Sequence, residues 1–170
     1  DRPGVVALAW TTTPWTLPAN MALCVGPDIA YVQARKVAAD GAPQGPSYLV
    51  SEQQAAGLLG EDCVIEERFG GAQLVGLRYE PIFPWFPEAA GEGGYRVVSD
   101  AYVTDDDGTG IVHQAPAYGE DDYRICTSNG LPFRDPVDSE GRFTAQAPLV
   151  VGQLVKDADK VLLRDLKGRG

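Results

Sequence analysis

The chain has 170 residues, of which 24 are acidic and 14 basic, so its formal net charge is -10. With 44% hydrophobic and 22% charged residues, the composition is typical of a globular protein and excludes a disordered, collagenous or coiled-coil chain. No apolar run approaches the roughly 18 to 20 residues of a membrane span, and the first residues lack the features of a signal peptide, so we expect no membrane or secreted protein.

Short strands separated by turn residues make up most of the predicted structure. The predicted strands are Val5–Trp10, Ala22–Val25, Ala30–Val37, Tyr48–Val50, Cys63–Phe69, Tyr95–Thr104 and Gly110–Gln114. Gly/Pro-rich loops are predicted at 40–46 and 88–94.

Three helices are predicted between the strands and at the end of the chain. The first is Ser51–Leu59, where Ser51 and Gln54 match a capping box and Gly60 follows as a stop signal. The second begins near Gly119 and ends before Gly130. The third covers roughly 156–167, with apolar residues on one side and charges on the other.

These elements predict a β-rich α+β fold, with a mixed or barrel-like sheet and a few peripheral helices. Regular alternation of strand and helix is missing, which argues against a doubly wound parallel sheet. No linker or internal repeat divides the sequence, so we expect a single domain over 1–170. The chain begins without an initiator methionine, and we therefore expect a domain excised from a longer protein.

Three cysteines, Cys24, Cys63 and Cys126, are widely spaced and form no Cys-x-x-Cys pair, which predicts reduced thiols in a cytoplasmic protein. With a single histidine, the usual zinc ligand sets cannot be assembled, and we predict no metal. A Cys-His or Ser-His hydrolase remains open, although nothing in the sequence marks Cys126 as activated.

Two segments have unusual composition. In Trp10–Asn20, which follows an apolar strand, four threonines, two tryptophans and two prolines lie close together. Such residues satisfy turn backbone, but they can also present hydroxyls and backbone donors to a small polar ligand. The second segment, 107–123, contains a Gly-rich turn, the only histidine, a Pro-bounded loop and the acids Glu120, Asp121 and Asp122 at a helix start, where acids stabilise the helix in any case.

Together, Trp10-Thr-Thr-Thr-Pro-Trp-Thr-Leu-Pro-Ala-Asn20 and Gly108-Thr-Gly-Ile-Val-His-Gln-Ala-Pro-Ala-Tyr-Gly-Glu-Asp-Asp122 closely resemble the editing (CP1) domain of isoleucyl-tRNA synthetases. The valyl and leucyl enzymes differ at the positions of Thr13, Trp15 and His113. The two signature motifs of the synthetase active site are absent from the sequence, so no aminoacylation is expected.

The resemblance implies the class I synthetase editing-domain fold and hydrolysis of mischarged valyl-tRNA(Ile), with valyl-adenylate as a second substrate left open. It implies that Asp122 binds the α-ammonium group, that Thr11, Thr12 and Thr13 line the side-chain pocket and hold the hydrolytic water, and that His113 bars isoleucine by size. The catalytic residues implied are Asp122, Thr12, Thr13 and His113. The substrate-binding residues implied are Thr11, Thr12, Thr13, Trp15, Thr16, Asn20, His113, Ala115, Tyr118 and Asp122.

No cofactor is implied. The partners implied are the 3′ end of valyl-tRNA(Ile) and the remainder of the synthetase in cis, with no membrane. A net charge of -10 disfavours extensive contact with the negatively charged phosphates of tRNA. The domain is therefore expected to contact only the 3′ end. Two alternatives stay open: a non-catalytic module that binds an aminoacyl group or adenylate, and a purely structural insertion.

Overall fold

The computed structural model describes residues 4–169. Residues 1–3 and residue 170 lie outside the described part. The prediction that the first residues are no signal peptide therefore falls mostly outside it. The chain forms two compact units, each made of three stretches of sequence. Unit 1 comprises Asp1–Trp10, Leu23–Arg78 and Arg96–His113, and unit 2 comprises Thr11–Ala22, Tyr79–Tyr95 and Gln114–Gly170. The prediction of one editing domain over 1–170 stays a prediction.

Seven strands and four α-helices are found among the described residues. The strands are β1 (Val5–Ala7), β2 (Ala22–Val25), β3 (Ala30–Val37), β4 (Pro43–Ser51), β5 (Val64–Gly70), β6 (Arg96–Ser99) and β7 (Ile111–Gln114). The helices are α1 (Glu52–Leu59), α2 (Gly71–Leu74), α3 (Glu120–Ser128) and α4 (Val155–Arg169), with 3-10 helices at Pro14–Ala19 and Pro87–Ala90.

A mixed four-stranded sheet lies in unit 1, in the order β1-β4-β3-β5. β1 is parallel to β4, and β3 is antiparallel to both β4 and β5. One face of this sheet and helix α1 bury a shared apolar cluster. Its members are Val32, Ala34, Val50, Ala55 and Leu59.

The second sheet has three strands in the order β6-β2-β7 and belongs to unit 1 except for the end residues Ala22 and Gln114. In unit 1, the buried Tyr31 hydroxyl accepts from the Gly26 N–H at 2.9 Å and donates to the Gly110 carbonyl at 2.6 Å. Burial raises the pKa of Tyr31 to about 12, so the hydroxyl stays a donor. The bond from the Tyr31 hydroxyl to the Gly110 carbonyl fixes the turn that leads into β7.

Unit 2 has two apolar clusters. The larger one packs α4 against an irregular region through Phe83, Phe143, Ala147, Val150, Ala158 and Leu162. The smaller one contains Met21, Phe86, Ala89 and Tyr95. The 3-10 helix Pro14–Ala19 packs on α4.

The β-rich α+β class is confirmed, and the sheets of the described residues are open and not closed into a barrel. β2 and β3 have the predicted bounds. The predicted loop 40–46 is wrong in part, because β4 begins at Pro43. Prolines are tolerated there since the neighbour β1 pairs only with Ser47 to Leu49, and the pairing with β3 is irregular between Ala34 and Lys36.

The predicted capping box at Ser51 is also wrong. The Ser51 side chain makes no cap hydrogen bond. The Ser51 N–H, which a capping box would pair with the Gln54 side chain, donates to the Thr109 carbonyl at 3.0 Å. The Gln54 amide instead donates to the Asp105 carbonyl at 2.6 Å. The predicted strand Tyr95–Thr104 is shortened to β6, and the predicted loop 88–94 contains part of a 3-10 helix.

Among residues 4–169, no helix combines the length and the apolar character that crossing a bilayer would require.

Candidate functional site

The threonine-rich segment forms a tight turn in unit 2. The Thr13 N–H donates to the Thr11 hydroxyl oxygen at 3.1 Å, and the Oγ1 atoms of these two residues lie 3.4 Å apart. Thr12 and Thr13 are exposed, whereas Thr11 is half-buried. The turn therefore offers hydroxyl groups to solvent from a backbone that the Thr11 side chain holds in place.

The 3-10 helix Pro14–Ala19 continues this turn and anchors it. The Thr13 carbonyl accepts two bonds from Thr16, one from the N–H at 3.0 Å and one from the hydroxyl at 2.9 Å. The Trp15 N–H donates to Asp159 Oδ1 of α4 at 2.7 Å. Asp159 was not among the predicted site residues, because nothing local relates a carboxylate in the last helix to a turn 144 residues earlier.

Asn20 closes the segment from inside unit 2. Its amide nitrogen donates to the Ala22 carbonyl at 2.9 Å, and its amide oxygen accepts from the Tyr79 hydroxyl at 2.5 Å. Burial raises the pKa of Tyr79 well above its ordinary value, so this hydroxyl stays protonated. Asn20 and Thr16 are both buried and bonded within the fold. This geometry gives them a framework role, while contact with a ligand stays a prediction.

Asp122 lies in the first turn of α3 and ties that helix to the loop before it. Its Oδ2 atom accepts from the Ala115 N–H at 2.8 Å. Burial raises the pKa of the Asp122 carboxyl, hydrogen bonds from the backbone N–H groups of Ala115 and Asp122 lower it, and the neighbouring Asp121 charge raises it. Because an ordinary Asp pKa lies about three units below neutrality, Asp122 supplies a partly desolvated negative charge at pH 7.

Gly119 gives the Asp122 carboxylate its space. A Cβ atom on Gly119 would lie 2.9 Å from Oδ1 and 3.0 Å from Cγ of Asp122, closer than packed atoms normally approach. The φ of Gly119 is -155°, an extended value open to any residue. The need for glycine here is therefore one of space for the carboxylate.

We expect Gly119→Ala to displace the Asp122 carboxylate and break its bond to the Ala115 N–H, at a cost of about 1 kcal/mol in the free energy of unfolding. Amide hydrogen exchange should then be faster at Ala115. The control is Gly168→Ala, because nothing lies within 4 Å of the added methyl group there. Unchanged protection of the Ala115 amide in Gly119→Ala would show that Asp122 does not depend on this space.

Tyr118 connects the loop before α3 to the threonine-rich segment. Its ring packs on Trp15 with centroids 4.7 Å apart, its N–H donates to the Ala115 carbonyl at 2.9 Å, and its hydroxyl donates to Asp135 Oδ1 at 2.8 Å. Burial is the main reason why the pKa of Tyr118 is far above its ordinary value, and Asp135 adds to the rise. Asp135 was not among the predicted site residues, because it lies in an irregular stretch without a motif.

Nine of the ten predicted site residues thus lie in unit 2, and His113 lies in unit 1. Within unit 2, the Met21 N–H donates to the Gln114 carbonyl at 2.8 Å. Together with the contact between Trp15 and Tyr118, this bond brings the threonine-rich segment and the loop that Asp122 holds next to each other. The first motif from Thr11 onwards and the second motif from Gln114 onwards, about a hundred residues apart in sequence, thus lie in one unit.

His113 is the third residue of β7 and is 8% exposed. Burial lowers the pKa of His113 to about 4, so the imidazole is neutral at pH 7. A base with such a low pKa takes a proton from water poorly. The electrostatics therefore favour a shape or hydrogen-bonding role for His113 over general-base catalysis.

The depressed pKa predicts a pH dependence of stability. In the unfolded chain His113 titrates near 6.5, so between pH 6.5 and 4 the unfolded state binds more protons than the folded state. The free energy of unfolding then falls as the pH falls. From pH 7 to pH 5, we expect His113 to contribute a loss of about 2 kcal/mol, which urea unfolding at both pH values would measure. The same loss in His113→Gln would assign it to other groups.

Cys126 is a buried thiol in α3, in surroundings that disfavour its thiolate form. Burial is the main cause that raises the pKa of its thiol to about 12, and the Asp122 charge adds to it. Only the thiolate attacks carbonyl carbon effectively, so the cysteine hydrolase alternative loses its candidate. Residues 4–169 also contain no group of three His, Cys, Asp or Glu side chains that could hold a metal ion.

No family model matches the chain. Curated relatives do: it is 42% identical over 173 residues to the isoleucine–tRNA ligase of Bdellovibrio bacteriovorus, 47% over 172 residues to that of Corynebacterium diphtheriae and 45% over 170 residues to the cytoplasmic isoleucine–tRNA ligase of Mus musculus. These matches cover 96–100% of this chain, which spans only 13–16% of the length of those relatives.

The solved structures that it resembles include editing domains of synthetases. The crystal structure of GlLeuRS-CP1 superposes with a TM-score of 0.69 at 18% identity, over 97% of this chain and 80% of the other. The editing domain of the P. knowlesi cytosolic leucyl-tRNA synthetase superposes with a TM-score of 0.65 at 13% identity, over 96% of this chain and 82% of the other. The fold is thus that of synthetase editing domains. Together with the sequence relatives, this places the chain in the isoleucine–tRNA ligase family, as the segment that forms the CP1 editing domain.

Proposed function

We propose that this chain hydrolyses mischarged valyl-tRNA(Ile), releasing valine and leaving isoleucyl-tRNA(Ile) intact, with valyl-adenylate as a second substrate. The observation that carries the proposal is the partly buried Asp122 carboxylate, held by the Ala115 N–H in the unit that also presents the threonine turn. A single fixed negative charge beside exposed hydroxyls suits an α-ammonium group with a neighbouring ester.

The need for such a reaction follows from the limits of apolar recognition. A pocket that accepts isoleucine gains only about 1 to 3 kcal/mol over valine from one methylene group, and this amino-acid pair is the established example of that limit. A second site that admits only the smaller side chain then removes the error. In the proposal, His113 supplies the size limit of that second site.

In the proposed reaction, water attacks the carbonyl carbon of the ester between valine and the terminal ribose. The ester C–O bond breaks, one proton of the water passes to the ribose oxygen, and the other is released to solvent as the carboxylate of valine forms. Thr12 and Thr13 orient the water, and Thr11 holds their turn. Catalysis then comes mainly from orientation and from donors near the developing oxyanion.

The remaining predicted residues take supporting roles in the proposal. Trp15, Thr16 and Asn20 form and support the wall of the pocket, and the loop from Ala115 to Gly119, with Tyr118, contacts the terminal adenosine. No cofactor is needed. The rest of a cytoplasmic synthetase, joined in cis, would hold the body of the tRNA and deliver its 3′ end.

The test is deacylation of valyl-tRNA(Ile) and isoleucyl-tRNA(Ile), measured side by side at high concentration of the chain. We expect release of valine and little release of isoleucine. Equal cleavage of both esters would remove the size limit from the proposal. Binding of a valyl-adenylate analogue without cleavage of either ester, here and in the full-length synthetase, would favour the non-catalytic binding module instead.

A further inference from the structure

Helix α4 carries a row of exposed cations on the side away from its buried face. Lys156, Lys160, Arg164 and Lys167 are all exposed and recur every three or four residues. At 3.6 residues per turn they fall within an arc of about 80°. The buried Ala158 and Leu162 lie on the opposite side of the helix. We call these four residues the basic row.

The basic row is unusual for this chain. Only four lysines occur among the 170 residues, and three of them are in the row, the fourth being Lys36. The chain as a whole has ten more acidic than basic residues. Cations are therefore concentrated on one helix face of a strongly acidic chain.

The acids of α4 do not neutralise the basic row. Asp165 pairs with Arg169, and Asp159 accepts the Trp15 N–H. Asp157, which is exposed, lies at the edge of the row. No ion pair of the four row residues is found among residues 4–169. Their charges are thus available to a partner.

The row is also held rigidly. Ala158 and Leu162 fix α4 in the larger apolar cluster of unit 2, and Asp159 bonds the turn that continues from the threonines. At 1.5 Å per residue, the row extends over about 16 Å of helix. It forms a linear array of positive charges in the same unit as Asp122.

We infer that the basic row binds the phosphate backbone of RNA and, resting on the proposed function, that this RNA is the acceptor end of the tRNA. Phosphates are held by lysine and arginine through release of condensed counterions. An acidic protein is the weaker candidate, because protein interfaces are built around an apolar core and Leu163 is the only exposed large apolar residue of α4.

The experiment measures binding of uncharged tRNA(Ile) to the 170-residue chain at several salt concentrations. In the triple variant Lys156→Gln, Lys160→Gln, Lys167→Gln, we expect affinity to fall at least about tenfold at 0.1 M salt. The slope of log K against log salt should become shallower by about 2 to 3, since each lost phosphate contact removes about 0.7 to 0.9. The substituted side chains are exposed, and thermal unfolding checks that the fold is unchanged.

Lys36→Gln is the matched control, because Lys36 is an exposed lysine outside the row, and it should leave affinity and slope unchanged. Asp157→Asn should raise the affinity. If the triple variant binds tRNA(Ile) as wild type does, the inference is wrong. It is also wrong if the affinity lost per substituted lysine is no larger than the affinity lost in Lys36→Gln. An acidic protein surface then becomes the better partner. Asp122→Asn separates the hydrolase proposal from the RNA-binding inference. Uncharged tRNA has no α-ammonium group, so this variant should bind it with wild-type affinity, whatever its effect on deacylation.

Discussion

Replacing Asp122 by Asn is expected to lower the rate of valyl-tRNA(Ile) deacylation by about 100-fold or more while leaving stability within about 1 kcal/mol of wild type. A carboxylate about 4 Å from an ammonium group attracts it by about 4 kcal/mol at an effective dielectric constant of 20, before desolvation costs. If about 2.7 kcal/mol of this attraction is left after desolvation, its loss lowers the rate about 100-fold. The measurement is valine release under single-turnover conditions.

Stability is expected to survive this change for two reasons. The Asn side-chain oxygen can still accept from the Ala115 N–H, which is 2.8 Å from Asp122 Oδ2 in wild type. Burial raises the pKa of Asp122, so the folded state binds a proton more readily than the unfolded state and the charge costs stability at pH 7. Asn removes that cost. Asp122→Ala, in contrast, leaves the Ala115 N–H without this acceptor and should lose about 1 to 3 kcal/mol.

Asp121→Asn is the control for charge alone. Asp121 is the preceding acid in α3, is exposed and pairs with Arg124 at 3.0 Å. Its substitution changes the net charge by the same amount and should leave deacylation unchanged. Equal losses in both variants would reassign the effect to the overall charge of the helix start, and full activity in Asp122→Asn would remove Asp122 from the ammonium site.

Replacing Gly71 by Ala is expected to lower the free energy of unfolding by more than about 3 kcal/mol, the range of severe packing defects. A Cβ atom on Gly71 would lie 1.9 Å from the Gly26 carbonyl oxygen and 3.1 Å from Tyr31 Cε2. The obstacle is backbone, which a side-chain rotation cannot relieve. The Gly71 N–H also donates to the Ile29 carbonyl at 2.9 Å, so a shift of the segment would break that bond.

Gly57→Ala is the matched control for Gly71. Gly57 lies inside α1, is exposed, and has nothing within 4 Å of an added methyl group. Ala is favoured over Gly in a helix by about 0.5 to 1 kcal/mol, so this variant should be stabilised. Urea unfolding of both variants gives the two values. A Gly71→Ala protein as stable as wild type would mean that the loop around Gly26 can move aside.

The sequence predicts strands well where apolar and β-branched residues are bounded by turn residues. β2 is uniformly apolar and β3 contains Tyr31, Val32 and Val37, and both have their predicted bounds. β4 was predicted too short, because its first half is rich in Gly and Pro and is defined by backbone pairing with β3. The 3-10 helix Pro14–Ala19 was missed, because threonines and prolines favour turns in any sequence pattern.

The motif residues of the candidate site could be predicted from the sequence, whereas the residues that hydrogen-bond to them could not. Thr11–Thr13 and Asp122 were found through the resemblance of two segments. Asp135 and Asp159, which bond Tyr118 and the Trp15 N–H, were not found. Such partners are chosen by tertiary packing across large sequence separations, and a single sequence carries no periodic or local signal of them.

The interleaving of the two units sets an order in which they can be completed during synthesis. The last stretch of unit 1 ends at His113, so this unit has all its residues before 114–170 are made. Unit 2 begins with the threonine turn but obtains Asp159, Ala158 and Leu162 only from α4, at the end. The threonine turn is therefore synthesised early, and helix α4, which holds it through Asp159, is synthesised late. Because each unit consists of three separate stretches, no single proteolytic cut can release either unit as one continuous fragment.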